Sequence, residues 1–163
     1  MNYANIKWTD IANGPGVRIS LFVSGCRNHC VGCFNPETWD FKYGKPFTLL
    51  TLNKIIEALD HDYIEGISIL GGDPFERENI TVITTLCQLI KQKYPQKTIW
   101  VYTGYKYEDY CHLEIMNYID VLVDGRFVEK LKNISLRFKG SSNQRIIDVK
   151  ASKLKKEIVL YEV

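Results

Sequence analysis

The sequence lacks the features that mark membrane-spanning, secreted or repetitive proteins. No apolar run approaches the roughly 20 residues of a transmembrane helix, and the polar stretch from Met1 to Asp10 contains no signal-peptide apolar core. No internal repeat, low-complexity tract or linker rich in proline, glycine and serine divides the 163 residues. Because domains most often have about 100–150 residues, we expect one domain over residues 1–163. Since the sequence shows neither a transmembrane nor a signal-peptide segment, we expect the protein in the cytoplasm.

The sequence also has little excess charge of either sign. Its 21 lysine and arginine residues against 19 aspartate and glutamate residues give a formal net charge of +2. So small a bias gives no reason to expect nucleic acid or an anionic membrane as a partner. The hydrophobic fraction of 45% and charged fraction of 25% are typical of an ordinary globular protein. The chain is too short for a complete eight-unit β/α barrel, which needs about 250 residues.

Short β-branched runs alternate with longer segments of helical periodicity. The runs predict strands at 19–24, 67–70, 99–102 and 119–123, and two weaker β-like runs lie at 145–149 and 157–161. Apolar residues at helical spacing predict helices over about 50–60, 80–90 and 107–118. This order predicts an α/β fold in which parallel strands are joined by right-handed crossovers, with the helices outside.

Turn-forming residues follow the ends of the predicted strands. Gly71-Gly72, Thr103-Gly104 and Asp124-Gly125 each come directly after a strand, and the first strand runs into Gly25. Ligands of α/β sheets and barrels bind at the carboxyl ends of parallel strands. We therefore expect the functional residues at one edge of the sheet, where Asp124 has Arg126 or Arg145 as a possible ion-pair partner.

Three of the five cysteines, Cys26, Cys30 and Cys33, form the pattern C-x3-C-x2-C. In a reducing compartment, clustered thiols indicate metal or redox chemistry rather than disulfides. Thiolate is the ligand that iron–sulfur clusters and zinc prefer. A four-iron cluster held by these three residues alone would keep one iron with an open coordination position.

Two other metal sites remain open at this point. A structural zinc site needs a fourth ligand, from His29, Cys111 or His112, although adjacent residues such as His29 and Cys30 rarely reach one tetrahedral ion together. A ferredoxin-like electron carrier needs a fourth cysteine, for which Cys87 and Cys111 are poorly spaced. Cys87 lies within a predicted helix and is expected to be a small core residue.

The cysteine spacing resembles the signature of the radical S-adenosylmethionine (SAM) superfamily. Gly71-Gly72-Asp73-Pro74 resembles the GGEP-type stretch with which that superfamily holds the amino group of SAM, with aspartate in place of glutamate. Three further segments resemble the glycyl-radical-enzyme activases: Asn13 to Arg18, Val23 to Cys26 and Gly32 to Asn35. Three others resemble more narrowly the family that activates anaerobic ribonucleoside-triphosphate reductases: Trp100 to Tyr105, Val121 to Phe127 and Gly140 to Arg145.

The resemblance implies a fold, an activity and partners. The fold is a partial, incomplete TIM-type β/α barrel of the radical SAM kind. The activity is that of an oxidoreductase which uses one [4Fe-4S] cluster and SAM to generate a 5′-deoxyadenosyl radical; this radical takes hydrogen from a glycine of the reductase's large subunit. The implied electron donor is reduced flavodoxin. An activase of a formate-lyase-type enzyme, or another small radical SAM enzyme, is the alternative.

The same resemblance implies the site residues. Cys26, Cys30 and Cys33 bind the cluster, and no other side chain is catalytic, because hydrogen moves as an atom. The implied cofactor-binding residues are Gly32, Cys33, Phe34, Gly71, Gly72, Asp73, Pro74 and Thr103. Many superfamily members have an aromatic residue before the third cysteine, whereas here Gly32 precedes it and Phe34 follows it. Phe34 therefore packs near the adenine or covers the cluster, and Gly140 to Arg145 either binds an extended backbone or forms a polar turn.

Overall fold

A computed structural model describes residues 1–163 as a seven-stranded sheet with helices packed against one face. The strands are β1 (Asn2–Asp10), β2 (Val17–Val23), β3 (Lys45–Pro46), β4 (Ile64–Gly71), β5 (Thr98–Tyr102), β6 (Val121–Asp124) and β7 (Arg145–Asp148). The α-helices are α1 (Leu49–Ala58), α2 (Ile80–Lys93), α3 (Tyr107–Tyr110) and α4 (Val149–Lys155). Short 3-10 helices cover Pro36–Trp39, Glu114–Asn117 and Glu129–Leu131. None of the helices is both long and apolar enough to cross a membrane.

The sheet is mixed, with four parallel strands at its centre. Its strand order is β3-β1-β2-β4-β5-β6-β7, and β2, β4, β5 and β6 are parallel. The expectation of parallel strands is wrong for β7, which pairs antiparallel with β6, and the unpredicted strands β1 and β3 also pair antiparallel with their neighbours. The reason is connectivity: no helix separates β1 from β2, whereas parallel neighbours need a crossover segment. The four central strands nevertheless bring their carboxyl ends to the same edge.

Side chains alternate between two buried faces of the sheet. Along β2, Ile19, Leu21 and Val23 join the large apolar core that the helices cover, while Ser20 and Phe22 point to the opposite face. A smaller apolar cluster of Trp100, Val121, Val123 and Ile146 lies on that opposite face. Both faces of the sheet therefore carry buried side chains, and the face that the helices leave uncovered can line a cavity.

Arg18 is a buried arginine whose hydrogen-bond partners are neutral. Its Nε donates to Ser68 Oγ, its Nη1 to Thr98 Oγ1 and its Nη2 to the Thr98 carbonyl, each at 2.9 Å, and its guanidinium lies over the ring of Trp100. Burial lowers the pKa of Arg18 to about 10. Ser68 Oγ in turn donates to the Asn13 carbonyl at 2.5 Å. The Asn13 to Arg18 segment is thus fastened to the centre of the sheet.

Most predicted elements are confirmed, but the helix predicted over 107–118 is wrong. α3 ends at Tyr110, and a separate 3-10 helix forms at Glu114–Asn117. Tyr107 is buried and so are Ile115 and Met116, whereas Cys111 and His112 between them are exposed. Tyr110 and Leu113 are half-buried against the core, so the apolar spacing continues, but the backbone makes tighter turns in which the Leu113 N–H donates to the Tyr110 carbonyl and the Met116 N–H to the Leu113 carbonyl.

The strand predicted at 157–161 is also wrong, and two strands were not predicted. Lys156 adopts a left-handed conformation with φ of 57° and ends α4, after which Leu160 makes a single bridge to Ile147. Strand β1 escapes the sequence pattern because its side chains are mostly half-buried or exposed and do not alternate cleanly. Strand β3 has only two residues.

Candidate functional site

A cavity of about 500 Å³ opens at the carboxyl ends of the four parallel strands. This volume lies in the range of roughly 300–1,000 Å³ that is common for small-molecule sites. Among the predicted site residues, those that line the cavity are Cys26, Cys30, Cys33, Phe34, Gly71, Gly72, Asp73 and Thr103. Gly32 and Pro74 do not line it. The topology therefore brings the cysteine loop together with the turns after β4 and β5.

The three clustered thiols are half-buried and all line this cavity. Cys87 is fully buried in α2, and Cys111 is exposed outside the cavity. No three histidine, cysteine, aspartate or glutamate side chains lie close enough together to hold a single metal ion. An iron–sulfur cube binds its thiolates at separate corners, so three thiols around a shared cavity suit its size and its preference for sulfur.

Burial raises the pKa of the Cys26 thiol to about 11. An isolated thiol in this position keeps its proton at neutral pH, and coordination to a metal is one way to favour the thiolate.

The loop that carries the thiol also turns sharply. His29 has a φ of 45°, an uncommon value outside glycine, and its ring stacks on Trp39 with centroids 4.4 Å apart.

Backbone hydrogen bonds join the start of the cysteine loop to the end of β4. The Gly25 N–H donates to the Thr38 carbonyl at 2.7 Å, and the Gly25 carbonyl accepts from the Asp73 N–H at 2.8 Å. A Cβ on Gly72 would lie 2.6 Å from the Gly25 carbonyl oxygen, so a side chain there would force backbone apart. The Gly71-Gly72 pair thus permits the close approach of β4 to the loop.

Asp73 is buried, and its carboxylate accepts four hydrogen bonds from the protein. Its Oδ1 accepts from the Phe75 N–H at 2.9 Å and from Thr103 Oγ1 at 2.8 Å; its Oδ2 accepts from Asn28 Nδ2 at 3.0 Å and from the Gly104 N–H at 2.9 Å. Burial raises its pKa to about 6, so the group is ionised at neutral pH. A carboxylate has about four lone-pair positions, and the protein uses all of them to join three segments around the cavity.

We expect Asp73→Asn to destabilise the protein by about 1–3 kcal/mol, because an amide oxygen accepts fewer hydrogen bonds and its NH₂ would face other donors. Relief from burying a charge offsets part of this cost. Denaturant unfolding of the purified variant measures the change, with the exposed Asp109→Asn as the matched control. If Asp73→Asn were as stable as the unmodified chain, the four hydrogen bonds to the Asp73 carboxylate would not stabilise the fold as we expect.

Two buried donors at the cavity have no hydrogen-bond partner in the protein. These are the indole Nε1 of Trp39 and the phenol oxygen of Tyr102, and both residues line the cavity. Burial raises the pKa of Tyr102, so its hydroxyl stays protonated. Because unpaired buried polar groups are costly, a ligand or water that accepts from them fits the site. Neither Trp39 nor Tyr102 was among the predicted site residues, because no local motif marks a side chain whose polar atom becomes buried only on folding.

The buried carboxylate of Glu76 binds the cysteine loop next to its first cysteine. Glu76 accepts from the Arg27 N–H at 2.7 Å and from the Tyr105 hydroxyl at 2.5 Å. The Arg27 side chain pairs with Glu76 at 3.5 Å and with Glu78 at 2.8 Å. Since Arg27 follows Cys26 directly, these contacts fix the loop between its first and second cysteines.

The segment 126–139, which we name the collar, covers one side of the cavity and contacts the cysteine loop. The rings of Phe34 and Phe127 have centroids 5.1 Å apart, and Lys132 Nζ lies 5.1 Å from the Phe34 ring. Arg126 Nη2 donates to the Asn28 carbonyl at 2.5 Å. Phe34 therefore packs between the collar and the loop while 60% of its surface stays exposed.

The Gly140 to Arg145 segment fastens the collar to the sheet. Gln144 Oε1 accepts from the N–H groups of Gly140 at 2.8 Å and Ser141 at 3.1 Å, and Gln144 Nε2 donates to the Gly125 carbonyl at 3.0 Å. Arg145 pairs with the buried Asp124. Of the two arginines considered for Asp124, Arg145 is the one that makes the ion pair. Much of the segment's polar surface is thus used within the chain.

The chain is similar to a known family model and to curated relatives along most of its length. Residues 12–147 match the family described as "4Fe-4S single cluster domain". The chain is 46% identical over 148 residues to the anaerobic ribonucleoside-triphosphate reductase-activating protein of Escherichia coli (strain K12), covering 88% of this chain and 96% of the relative. The protein of the same name from Enterobacteria phage T4 is 42% identical over 146 residues, covering 90% and 93%. That from Vibrio cholerae is 41% identical over 150 residues, covering 90% and 97%.

The residues matched by the family model include the cysteine loop, the glycine turn after β4 and the four parallel strands. The chain therefore belongs to the family of anaerobic ribonucleoside-triphosphate reductase-activating proteins, which has a 4Fe-4S single cluster domain.

Proposed function

We propose that this chain is a radical SAM oxidoreductase that activates an anaerobic ribonucleoside-triphosphate reductase by forming a glycyl radical in it. The main support is the meeting of the three C-x3-C-x2-C thiols with the ends of parallel strands around one cavity. The names of the relatives support the choice of target. In this proposal, residues 1–163 form a single domain, and the mixed sheet with its helices is a partial β/α barrel of the radical SAM kind.

Cys26, Cys30 and Cys33 would hold the [4Fe-4S] cluster and leave one iron free for SAM. When bound, the reduced cluster and SAM together supply one-electron cleavage of SAM and the radical that removes hydrogen from a glycine. No side chain of the chain is then required as a general base. The protein orients the two cofactors and keeps water and competing hydrogen donors away.

The backbone carbonyls at Gly71, Gly72 and Thr103 would accept hydrogen bonds from the ammonium group of SAM, because these residues line the cavity beside the thiols. The N–H groups of Gly72 and Thr103 already donate to the carbonyls of Val23 and Val123. The unpaired donors of Trp39 and Tyr102 suit carboxylate or hydroxyl oxygens of a polar ligand. The Asp73 carboxylate would hold the segments around this site in place, because it accepts four hydrogen bonds from protein donors.

Aromatic and aliphatic side chains would shield the reacting atoms. The cavity lining includes Phe22, Phe34, Phe127, Leu136 and Phe138. Apolar surroundings control solvent access and the potential of a bound cluster. Gly32 and Pro74, which do not line the cavity, would act by shaping the turns that carry their neighbours Cys33 and Asp73.

The collar would form the surface that binds the reductase. It carries five basic side chains and one acidic one, whereas the whole chain has 21 basic and 19 acidic residues. Apolar side chains between these charges are also exposed, with Ile134 92% and Leu131 43% accessible. A surface of this kind at the mouth of the cavity suits an acidic protein surface that surrounds an inserted glycine loop. Reduced flavodoxin would supply the electron.

The function is tested by anaerobic reconstitution with iron and sulfide, followed by incubation with reductant, SAM and the reductase. We expect about four irons per chain, cleavage of SAM and a glycyl-radical doublet in electron paramagnetic resonance (EPR). A formate-lyase-type enzyme in place of the reductase serves as the control and should give no doublet. A doublet with that enzyme alone, or stoichiometric zinc without iron, would contradict the proposal.

A further inference from the structure

Asn28 connects a predicted cluster ligand to the buried carboxylate of Asp73. Its side-chain Nδ2 lies 3.6 Å from Cys26 Sγ and 3.0 Å from Asp73 Oδ2. A primary amide has two N–H groups, so it can donate to both atoms at once. The sulfur contact is within the longer range that hydrogen bonds to sulfur require.

The orientation of this amide is fixed by its surroundings. Ionised Asp73 only accepts hydrogen bonds, so the NH₂ end of Asn28, and not its carbonyl end, must face both Asp73 and Cys26. Asp73 itself is immobilised by its other donors, which include the Gly104 N–H. The backbone of Asn28 is held at its carbonyl by Arg126.

Gly104 provides the space that the amide occupies. A Cβ at this position would lie 2.5 Å from Asn28 Nδ2 and 3.0 Å from Asn28 Cγ. The φ of Gly104 is not in the left-handed region, so alanine could adopt this backbone conformation. The close approach of Asn28, rather than backbone strain, is therefore what glycine permits here.

We propose that Asn28 is a positioning residue for the cluster, whose amide N–H donates to the Cys26 thiolate and makes the bound cluster easier to reduce. The inference rests on the proposed function only in requiring a cluster at Cys26. Reduction by an external one-electron donor adds negative charge to the cluster and its sulfur ligands. A hydrogen bond to a ligand sulfur stabilises the more negative state, which raises the reduction potential.

Asn28 is a suitable point for such control because its donor is a side chain. Cys33 Sγ also accepts a hydrogen bond, from the Asn35 N–H at 3.4 Å, but that donor belongs to the backbone. Substitution can remove the donor at Cys26 and leave the backbone donor at Cys33 in place. The two contacts can therefore be separated experimentally.

The test is a redox titration of the reconstituted protein by EPR, without SAM and without the reductase. In Asn28→Ala we expect four irons per chain to be retained and the midpoint potential to become more negative. The expected change in the ratio of reduced to oxidised cluster at a fixed potential is about two- to tenfold, the size of one hydrogen bond. Gly104→Ala should shift the potential in the same direction, because the new methyl group displaces the amide without removing it.

Asn117→Ala, on the exposed surface, is the matched control and should titrate like the unmodified chain. An unchanged or more positive midpoint potential in Asn28→Ala and in Gly104→Ala would overturn the inference. Because neither SAM cleavage nor a glycyl radical is measured, this result is independent of the test of the proposed function. A chain that activates no reductase but shows the two shifts would still support the role of Asn28.

Discussion

Replacement of Cys26, Cys30 or Cys33 by alanine is expected to abolish SAM cleavage in each single variant. The three thiols line one cavity, and no other cysteine lies there. In the proposed cluster, which would have only three protein ligands, removal of one thiolate would leave a second iron without a protein ligand and make the cluster labile. Loss of a group that hydrogen-bonds a metal ligand typically costs about 10- to 100-fold in metal affinity or activity. Loss of the ligand itself should cost more.

The measurements are iron and sulfide content and the amount of 5′-deoxyadenosine formed with dithionite under anaerobic conditions. Cys111→Ala and Cys87→Ala are the controls, since one thiol is exposed elsewhere and the other is buried in α2. Both should keep the cluster, with Cys87→Ala losing about 1 kcal/mol of stability from the space its sulfur leaves. Retention of four irons in any of the first three variants, or loss of iron from Cys111→Ala, would show that the ligands are assigned wrongly.

Reversal of two collar charges is expected to weaken activation of the reductase while leaving the cluster chemistry intact. Lys130 and Arg137 are exposed and do not line the cavity. In the double variant Lys130→Glu/Arg137→Glu we expect the KM for the reductase to rise about tenfold with little change in kcat, because exposed charges at an interface mainly affect association. The increase should shrink at high salt, where such charges are screened.

The initial rate of glycyl-radical formation against reductase concentration gives both parameters. Lys54→Glu/Lys155→Glu is the matched control, since it makes the same change in net charge at exposed helical positions away from the collar. SAM cleavage without the reductase should be equal in all three proteins. If the control raises KM as much as the collar variant does, net charge and not the collar determines association.

The sequence alone predicted the elements whose signal is local. Strands β2, β4, β5 and β6 follow from β-branched runs, and helices α1 and α2 follow from apolar periodicity. The cysteine pattern indicated a metal or redox site through residue type and spacing, and its resemblance, with that of the glycine pair after β4, to the radical SAM superfamily implied SAM as the second cofactor. The position of these motifs after parallel strands also predicted that they would meet at one edge. The burial of Cys87 in α2 agrees with its expected place in the core.

Elements that depend on distant partners were not predictable from the sequence. Strand β1 forms because β2 offers an edge to pair with, and after α3 the chain continues in tighter turns, with the Leu113 N–H donating to the Tyr110 carbonyl. The antiparallel direction of β7 likewise depends on how the chain returns from the collar. In each case local propensity is weak, so tertiary contacts decide the conformation.

The sequence by itself determined that three thiols and a glycine turn would lie at the ends of parallel strands, because periodicity and spacing are properties of the chain. Only the tertiary structure showed that the carboxylate of Asp73 accepts four hydrogen bonds from protein donors, and that Asn28 lies beside the Cys26 sulfur. It also brought the collar over the cavity. The physical reason is that hydrogen-bond saturation and burial depend on atoms that are remote in sequence and become neighbours only on folding.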